Sequence, residues 1–532
     1  MPLAAAEGAV PSVPASSSCV ITPASASSRV SLWLVLLGTS ALIVLRSVVF
    51  LQYEQADFDA DQAIVGLMAK HLSEGRAWPL FFYGQLYMMG VQAWMAAPVF
   101  LWLGPTVLAL KLPLLVINVL TGGLLVWLLV REVGLRPWQA GVATLFFAAL
   151  PPVTASRLVQ AQGGTIEPLF YAVLLWMARG RPVVFGLVFA FGFLQREFTL
   201  FAVAALVGLE VWTRELFDRR RLAHWLVVGL VFLGAREGVG LLRGQASMFG
   251  PQTAPVALDA AVTNVDVVAS SVCPTPGNII GNLAWLLREN VPTYFGVKRQ
   301  PAGAFIASAR PSGAGYAWPL VVIAFGMAGV LVLSRLGTWW AGPRPPDAQG
   351  HSPRFAWFLL ATGVLSLAGV AVGCNVRSLI TIRYHLMLAL APVGLVALAF
   401  AYARHTLPRR HDWRRVATAT MAGATLAWAV AMAASSGALL REYRRLPPPD
   451  PFRVLADGLV AHGESVGWAS YWVSYHVDFL AEERVILSPT APVRIIDYAR
   501  RATRAGRDAV IVADGPCEDG RQVAQWYVCP QR

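Results

Sequence analysis

Charge is what this sequence has least of. Only 14% of its 532 residues are Asp, Glu, Lys or Arg, against 56% hydrophobic residues and a mean hydropathy of +0.55. So small a polar share excludes a soluble protein of ordinary composition and makes lipid the main solvent. The formal net charge of +13 does not point to nucleic acid, because no Lys/Arg-rich stretch is interleaved with aromatics as a single-strand groove requires. Cysteine is also scarce, and the five present have no metal-ligand spacing. The sequence therefore calls for no cofactor, and a divalent metal has no supporting pattern. No signal peptide is evident, so the first apolar run is expected to stay as an anchor. No internal repeat of the kind that builds transporters is present either.

What is there is a series of apolar runs near the ~20-residue bilayer length, about eleven in all. They fall at 31–52, 108–130, 138–153, 167–178, 182–195, 198–213, 222–242, 316–334, 355–373, 384–403 and 416–437. Arginines punctuate alternate loops. Arg131 and Arg136, Arg179 and Arg181, Arg214 with Arg219, Arg220 and Arg221, then Arg335, Arg344 and Arg354, and finally Arg404, Arg409, Arg410, Arg414 and Arg415 all fall on one side. By the positive-inside rule that side is cytoplasmic. Arg441, Arg444 and Arg445 follow the last run on the opposite side, where the larger 404–415 cluster outweighs them.

The expected fold class is an all-α polytopic membrane bundle with a small α/β domain at its carboxy terminus. Residues 1–29, rich in Ala, Ser and Pro, read as a disordered cytoplasmic tail. Residues 30–437 form the membrane domain, with outer loops at 53–107 and 243–315, and 438–532 the periplasmic domain. The last has soluble texture, with an amphipathic stretch at Phe452–His462 and short apolar runs at Arg484–Leu487 and Asp508–Ala513. Cys19 falls inside and the other cysteines outside, where disulfides persist. Spacing favours Cys517 with Cys529 and leaves Cys273 with Cys374.

Chemistry is concentrated in the first outer loop, which opens Asp57-Phe-Asp59-Ala-Asp61-Gln62. Ile64, Leu67, Met68 and Leu72 then recur at helical spacing, which puts Asp61 at a helix start. Two readings compete there. A carboxylate at a helix N-terminus is an ordinary cap; at a membrane face it is also a general base for an attacking hydroxyl. Arg196 and Arg383 sit at outer turns and suit a phosphate that must leave with growing charge. Tyr83, Gln85 and Tyr87 suit a sugar face, and equally an aromatic belt at the interface. Arg46, Arg236 and Glu237, near span ends, read as snorkelling or mutually neutralised groups. His71 has no partner spaced for a metal or a triad.

The segment from Asp61-Gln62-Ala-Ile-Val-Gly to Phe81-Phe82-Tyr83-Gly84-Gln85 resembles the first periplasmic loop of the C-type (GT-C) membrane glycosyltransferases. The nearest groups are the protein O-mannosyltransferases and the lipid A aminoarabinose transferases. Further similar segments are Pro151–Pro168, Thr381–Pro392 and Ser470–Ile486, with Ser470 where Asp is expected. The acidic residue that usually follows the loop Asp is Gln62 here, and a second expected acid is Gln92. The resemblance implies inverting transfer of a sugar from a polyprenyl-phosphate donor to a lipid or glycan acceptor, at the outer face of the inner membrane. It assigns Asp61 as base, Asp59 as its helper, Glu167 as a second carboxylate, and Arg196 with Arg383 as phosphate holders. Partners are then the lipid-linked sugar, its acceptor and the membrane lipids, without nucleic acid. The rival readings are a flippase of lipid-linked sugars and a non-catalytic membrane sensor.

Overall fold

The computed structural model describes residues 26–243, 263–297, 314–334, 351–374, 376–377, 379–404 and 412–531. Most of the expected amino-terminal tail, the loop arginines 335, 344, 409 and 410, and Cys19 lie outside the described residues.

The chain enters through α1 (Ala26–Gln52), which starts inside the segment expected to be disordered. The first outer loop then folds as helix α2 (Ala60–Ser73), a hairpin of β1 (Phe81–Phe82) and β2 (Gln85–Met89), and helix α3 (Val91–Leu103). A long helix α4 (Val107–Arg131) follows, then α5 (Pro137–Ala148), the short α6 (Pro152–Arg157), α7 (Glu167–Ala178), α8 (Pro182–Gln195), α9 (Thr199–Trp212) and α10 (Arg219–Arg243). The short helices α11 (Asn264–Ser270), α12 (Pro276–Trp285) and α13 (Val291–Tyr294) precede the last membrane helices, α14 (Ala314–Leu333), α15 (Arg354–Ala371), α16 (Leu390–Arg404) and α17 (Asp412–Arg445).

Among the described residues, six helical segments are long and apolar enough to cross a bilayer: 29–52, 107–131, 219–242, 354–371, 381–403 and 413–445. Five shorter apolar helices join them, at 91–103, 167–178, 182–195, 199–212 and 317–333. The set differs from the sequence expectation in three places. The run at 138–153 is cut after Ala148, because Pro151 and Pro152 bar helical continuation from the preceding turn. Conversely, α3 is an apolar helix inside the expected outer loop, with Trp102 at its end 88% exposed. The run at 384–403 opens as a tight 3₁₀ stretch, Leu379–Ala389, before α16.

Arg46, 3% exposed, donates to Phe147 O and Asn118 Oδ1, each at 2.7 Å. It is therefore a buried cross-brace between α1 and α4 and does not snorkel. Arg236 and Glu237 do pair, at 3.3 Å.

On the loop side, Cys273 and Cys374 form a disulfide. The Asn278 and Asn282 amides donate to Cys273, Ala371 and Gly373 carbonyls around it, so α12 is tied to the end of α15.

The carboxy-terminal domain is α/β, as its texture predicts. It comprises α18 (Pro451–Ala461), β3 (Val466–Ala469), α19 (Tyr471–Leu480), β4 (Ile486–Pro489), α20 (Ile496–Ala505), β5 (Val510–Ala513), β6 (Arg521–Val523) and β7 (Trp526–Pro530). The sheet order is β4-β3-β5-β7-β6, with β3 parallel to both neighbours and β7 antiparallel to both of its own. Cys517 and Cys529 are bonded, so both pairings expected from spacing form.

The domain docks on the first loop. Helix α19 lies against α2 so closely that a Cβ on Gly66 would collide with the Phe479 ring. Arg453 pairs with Glu54 at 2.6 Å, and Gln55 donates to Pro448 O at 3.0 Å.

Candidate active site

The three aspartates at the start of α2 go three different ways. Asp59 is the N-cap, in extended backbone, and its side chain accepts from Gln62 N at 3.0 Å. An N-cap carboxylate reaches the third amide of its helix, which places the cap two residues upstream of Asp61. Asp61, in the first turn, is thereby released from capping, and its Oδ1 accepts a hydrogen bond from Tyr471 OH at 2.7 Å. Asp57, at φ 68°, faces Arg157 at 3.3 Å and accepts from Gln160 at 2.8 Å. Lys111 donates to the Asp57 carbonyl at 2.9 Å, which fixes the turn from α1.

From Asp59 a chain of hydrogen bonds leads to a cationic centre. Gln162 Nε2 donates to the free oxygen of Asp59, Arg383 donates to Gln162 Oε1 at 2.9 Å, and Arg383 donates to Tyr384 OH at 2.9 Å. The Arg383 guanidinium lies 5.0 Å from the Tyr384 ring centre and that of Arg196 lies 6.0 Å from it. Arg196 and Arg383, 187 positions apart in sequence, thus meet on one aromatic ring. Burial pushes the Asp59 carboxyl up, and the neighbouring Asp61 charge adds to it.

Glu167 does not open onto this space. It is 1% exposed, accepts from Thr165 N at 2.8 Å and Gln195 Nε2 at 3.0 Å, and so ties down the loop before its own helix. Gln92, where an acid was expected, accepts from Gly163 N at 2.6 Å in the same loop. The loop bends through Gly163 at φ 76° and Gly164 at φ 98°, and a Cβ on Gly164 would strike the Arg196 side chain. Glycine is required there by both the backbone and the arginine packed on it. Glu167 thus holds the surface against which Arg196 rests.

Gln62, the other amide at an expected acid position, donates to Asp57 O at 3.0 Å and accepts from Ala161 N at 3.3 Å. A carboxylate could not make the first of these bonds.

Tyr83, Gln85 and Tyr87 separate into two groups. Tyr83 is 2% exposed, with its hydroxyl 3.0 Å from His71 Nδ1. The far nitrogen of His71 lies 3.0 Å from Glu483, which also takes Lys70 at 2.7 Å, Tyr498 at 2.8 Å and Arg76. Burial alone would raise the Glu483 carboxyl, but hydrogen bonds from His71 and Arg76 and the adjoining positive charge hold it well below the usual carboxylate range. His71, which has no partner in sequence, is therefore one spoke of a hub joining α2 to the carboxy-terminal domain. Gln85 and Tyr87 are half-buried on β2, beside Arg494, which donates to Gly84 O at 3.0 Å.

Arg494 is the main addition to the sequence-derived set, together with Tyr471 and Gln162. Its guanidinium lies 5.9 Å from the Tyr471 ring centre. Burial alone would lower its pKa, but Tyr471 and the Asp61 charge raise it overall. Asp61 therefore accepts from a phenol whose ring lies beside a cation, both supplied from the carboxy-terminal domain. Tyr471 lies in the Ser470–Ile486 segment singled out from the sequence; Arg494 carried no sequence signal. Among the described residues no three His, Cys, Asp or Glu side chains converge as a metal site would need.

Comparison with solved structures identifies the architecture. ArnT from Cupriavidus metallidurans, bound to undecaprenyl phosphate, superposes with a TM-score of 0.58 at 12% identity, over 95% of this chain and 98% of that one. The chain shares the fold of that ArnT structure. The apo state of the same ArnT gives a TM-score of 0.58 over 94% of this chain and 98% of that one, again at 12% identity. The archaeal oligosaccharyltransferase AglB from Archaeoglobus fulgidus, in complex with an inhibitory peptide and a dolichol-phosphate, scores 0.48 at 13% identity, over 87% of this chain and 65% of that one. No family model and no curated protein sequence matches the chain. The resemblance read from the first loop thus holds at the level of fold, for an integral membrane bundle carrying a small α/β domain.

Proposed function

We propose that this chain is an inverting glycosyltransferase that moves a sugar from a polyprenyl-phosphate donor to a lipid or glycan acceptor. The observation that carries the reading is a carboxylate freed from capping, Asp61, two residues from Asp59, which Gln162 links to Arg383, with Arg196 meeting Arg383 on the Tyr384 ring. The ArnT structure with the same fold holds undecaprenyl phosphate, which favours a lipid phosphate as the leaving group.

In this reading the acceptor hydroxyl attacks the anomeric carbon from the face opposite the phosphate, and its proton passes to Asp61. The bond from the anomeric carbon to the phosphate oxygen breaks, and the electron pair leaves on the phosphate. Arg383 and Arg196 meet that growing charge, and their planar forks suit phosphate oxygens better than ammonium groups would. Asp59 assists by holding Gln162 and, through it, Arg383. Glu167 supports Arg196 from behind. Gln85 and Tyr87 are assigned as sugar contacts, with Tyr83 buttressing their strand. We place the reaction at the outer face of the inner membrane. Residues 30–437 serve as the membrane domain, 438–532 lie in the periplasm, and the amino terminus is cytoplasmic.

The test is transfer by purified protein from a panel of polyprenyl-phosphate sugars, with products identified by mass spectrometry and their anomeric configuration by NMR. Transfer with inversion that disappears in Asp61→Asn supports the proposal. Retention of configuration, or full activity in Asp61→Asn, overturns it.

A further inference from the structure

Helices α7 and α9 run away from the candidate site, since their first turns carry Glu167 and Thr199 beside Arg196. Their far ends, with the start of α10 and of α15, enclose a recess of about 510 Å³. Arg179, Arg220, Arg221 and Arg354 line it, along with Glu210, Glu215 and Asp218. Several of these charges are matched within the protein. Arg354 pairs with Glu215, at 2.5 Å, Arg221 with Glu210, and Arg179 with Glu132 at 2.9 Å.

Two nitrogens in the wall are not matched, one of them a donor in any protonation state, Arg354 Nε. Arg354 Nε and His224 Nε2 are buried without a hydrogen-bond partner among the described residues. Buried donors left unsatisfied are rare and commonly mark an acceptor that belongs there. Arg220 stands exposed at the same recess, and Arg181, Arg214 and Arg219 add positive charge on the neighbouring turns. The rest of the wall is apolar, with Leu206, Leu209 and Trp176. An occupant that meets Arg354 Nε and the exposed Arg220, and keeps clear of Asp218, must therefore bring acceptor oxygens on one side and hydrocarbon on the other.

We propose that this recess binds the phosphate of an anionic phospholipid headgroup, on the membrane face opposite the candidate active site. Phosphate oxygens are strong acceptors for guanidinium forks. A basic pocket between helix ends at headgroup depth draws anionic lipid by charge as well as by contact. The apolar wall favours a lipid over free inorganic phosphate, because Leu206 and Leu209 then cover the start of the acyl chains.

The test is native mass spectrometry of the full-length protein released from micelles after incubation with palmitoyl-oleoyl phosphatidylglycerol, the matching phosphatidylcholine, or inorganic phosphate. Phosphatidylglycerol should be retained in preference to phosphatidylcholine. The double variant Arg220→Gln, Arg354→Gln should weaken that retention at least about tenfold, and Arg220→Gln alone, which leaves the pair with Glu215 intact, should weaken it less. Arg501→Gln in the carboxy-terminal domain should leave it unchanged. Equal retention of phosphatidylcholine, or full retention by the double variant, overturns the proposal. Displacement of the lipid by equimolar inorganic phosphate overturns the lipid assignment in favour of a free anion.

Discussion

The Tyr471 hydroxyl donates a 2.7 Å hydrogen bond to the Asp61 carboxylate across 410 positions of sequence. The donor begins a helix of the α/β domain, and the acceptor sits in the first turn of the first-loop helix. The proposed base is thus oriented by a part of the chain that contributes nothing to the membrane bundle.

Tyr471→Phe tests that orientation. Removing one hydrogen bond to a charged group costs about 1.5–3 kcal/mol, so turnover should fall roughly tenfold or more while donor KM stays near wild type. Stopped single-turnover assays check it. An equal loss in donor binding would mean that Tyr471 contacts substrate itself.

Asp61→Asn should lower the transfer rate by about 10²–10⁴, the range for loss of a general base. Folding should survive, because the cap of α2 is Asp59 and stays in place. Asp59→Asn is the paired variant: asparagine caps as well as aspartate, so its melting temperature should be unaltered and its activity only partly reduced. If Asp59→Asn alone were inactive, the base would have to be reassigned two residues upstream.

Arg383→Lys should reduce the single-turnover rate more than donor affinity, because lysine keeps the charge but not the fork that spans Gln162 and Tyr384. Arg383→Ala should impair both. Donor titration and single-turnover rates, measured separately, distinguish the two effects. Wild-type values for both in Arg383→Ala would reduce Arg383 to a membrane-interface anchor and leave Arg196 as the phosphate holder.

Glu483 predicts an acid limit to domain docking. Its carboxyl is held below its unfolded value, so its contribution to stability is present above about pH 4.3, the ordinary glutamate range, and is lost as pH falls toward the depressed folded value. Protonation of Glu483 releases Lys70, His71 and Arg76 together. Proteolysis of the carboxy-terminal domain should therefore accelerate as pH drops below that range. Glu483→Gln should be more susceptible at neutral pH and show a flatter response to acid. An unchanged acid response in Glu483→Gln would assign the effect to another carboxylate.

Patterns short in sequence were legible, and contacts long in sequence were not. The apolar runs of the bundle and the amphipathic stretch and short apolar runs of the tail each depend on neighbours within about twenty residues, and they indicated the bundle and the α/β domain. Helix α3 escaped because Gln92 and Pro98 interrupt a run of only thirteen residues. Arg46 looked like a span-end charge because nothing local reveals that Asn118 and the Phe147 carbonyl wait for it. Asp61 was singled out from its loop, but Tyr471 reaches it, with Arg494 beside the Tyr471 ring, only through the docking of two distant segments. Glu167 carries the expected identity at the expected place, yet its surroundings hold a loop together and leave no face open to solvent.

The contact of Gly66 with Phe479 bears on how such proteins can be recombined. With the ring resting where a Cβ would stand, the first-loop helix and the terminal domain are complementary halves of one surface. A chimera that took its first-loop helix from a homologue with a larger residue at position 66, and kept this terminal domain with Phe479, would be forced apart at that seam, and Asp61 would lose its phenol. The two segments, more than 400 positions apart, are therefore a single unit of inheritance and should be exchanged together.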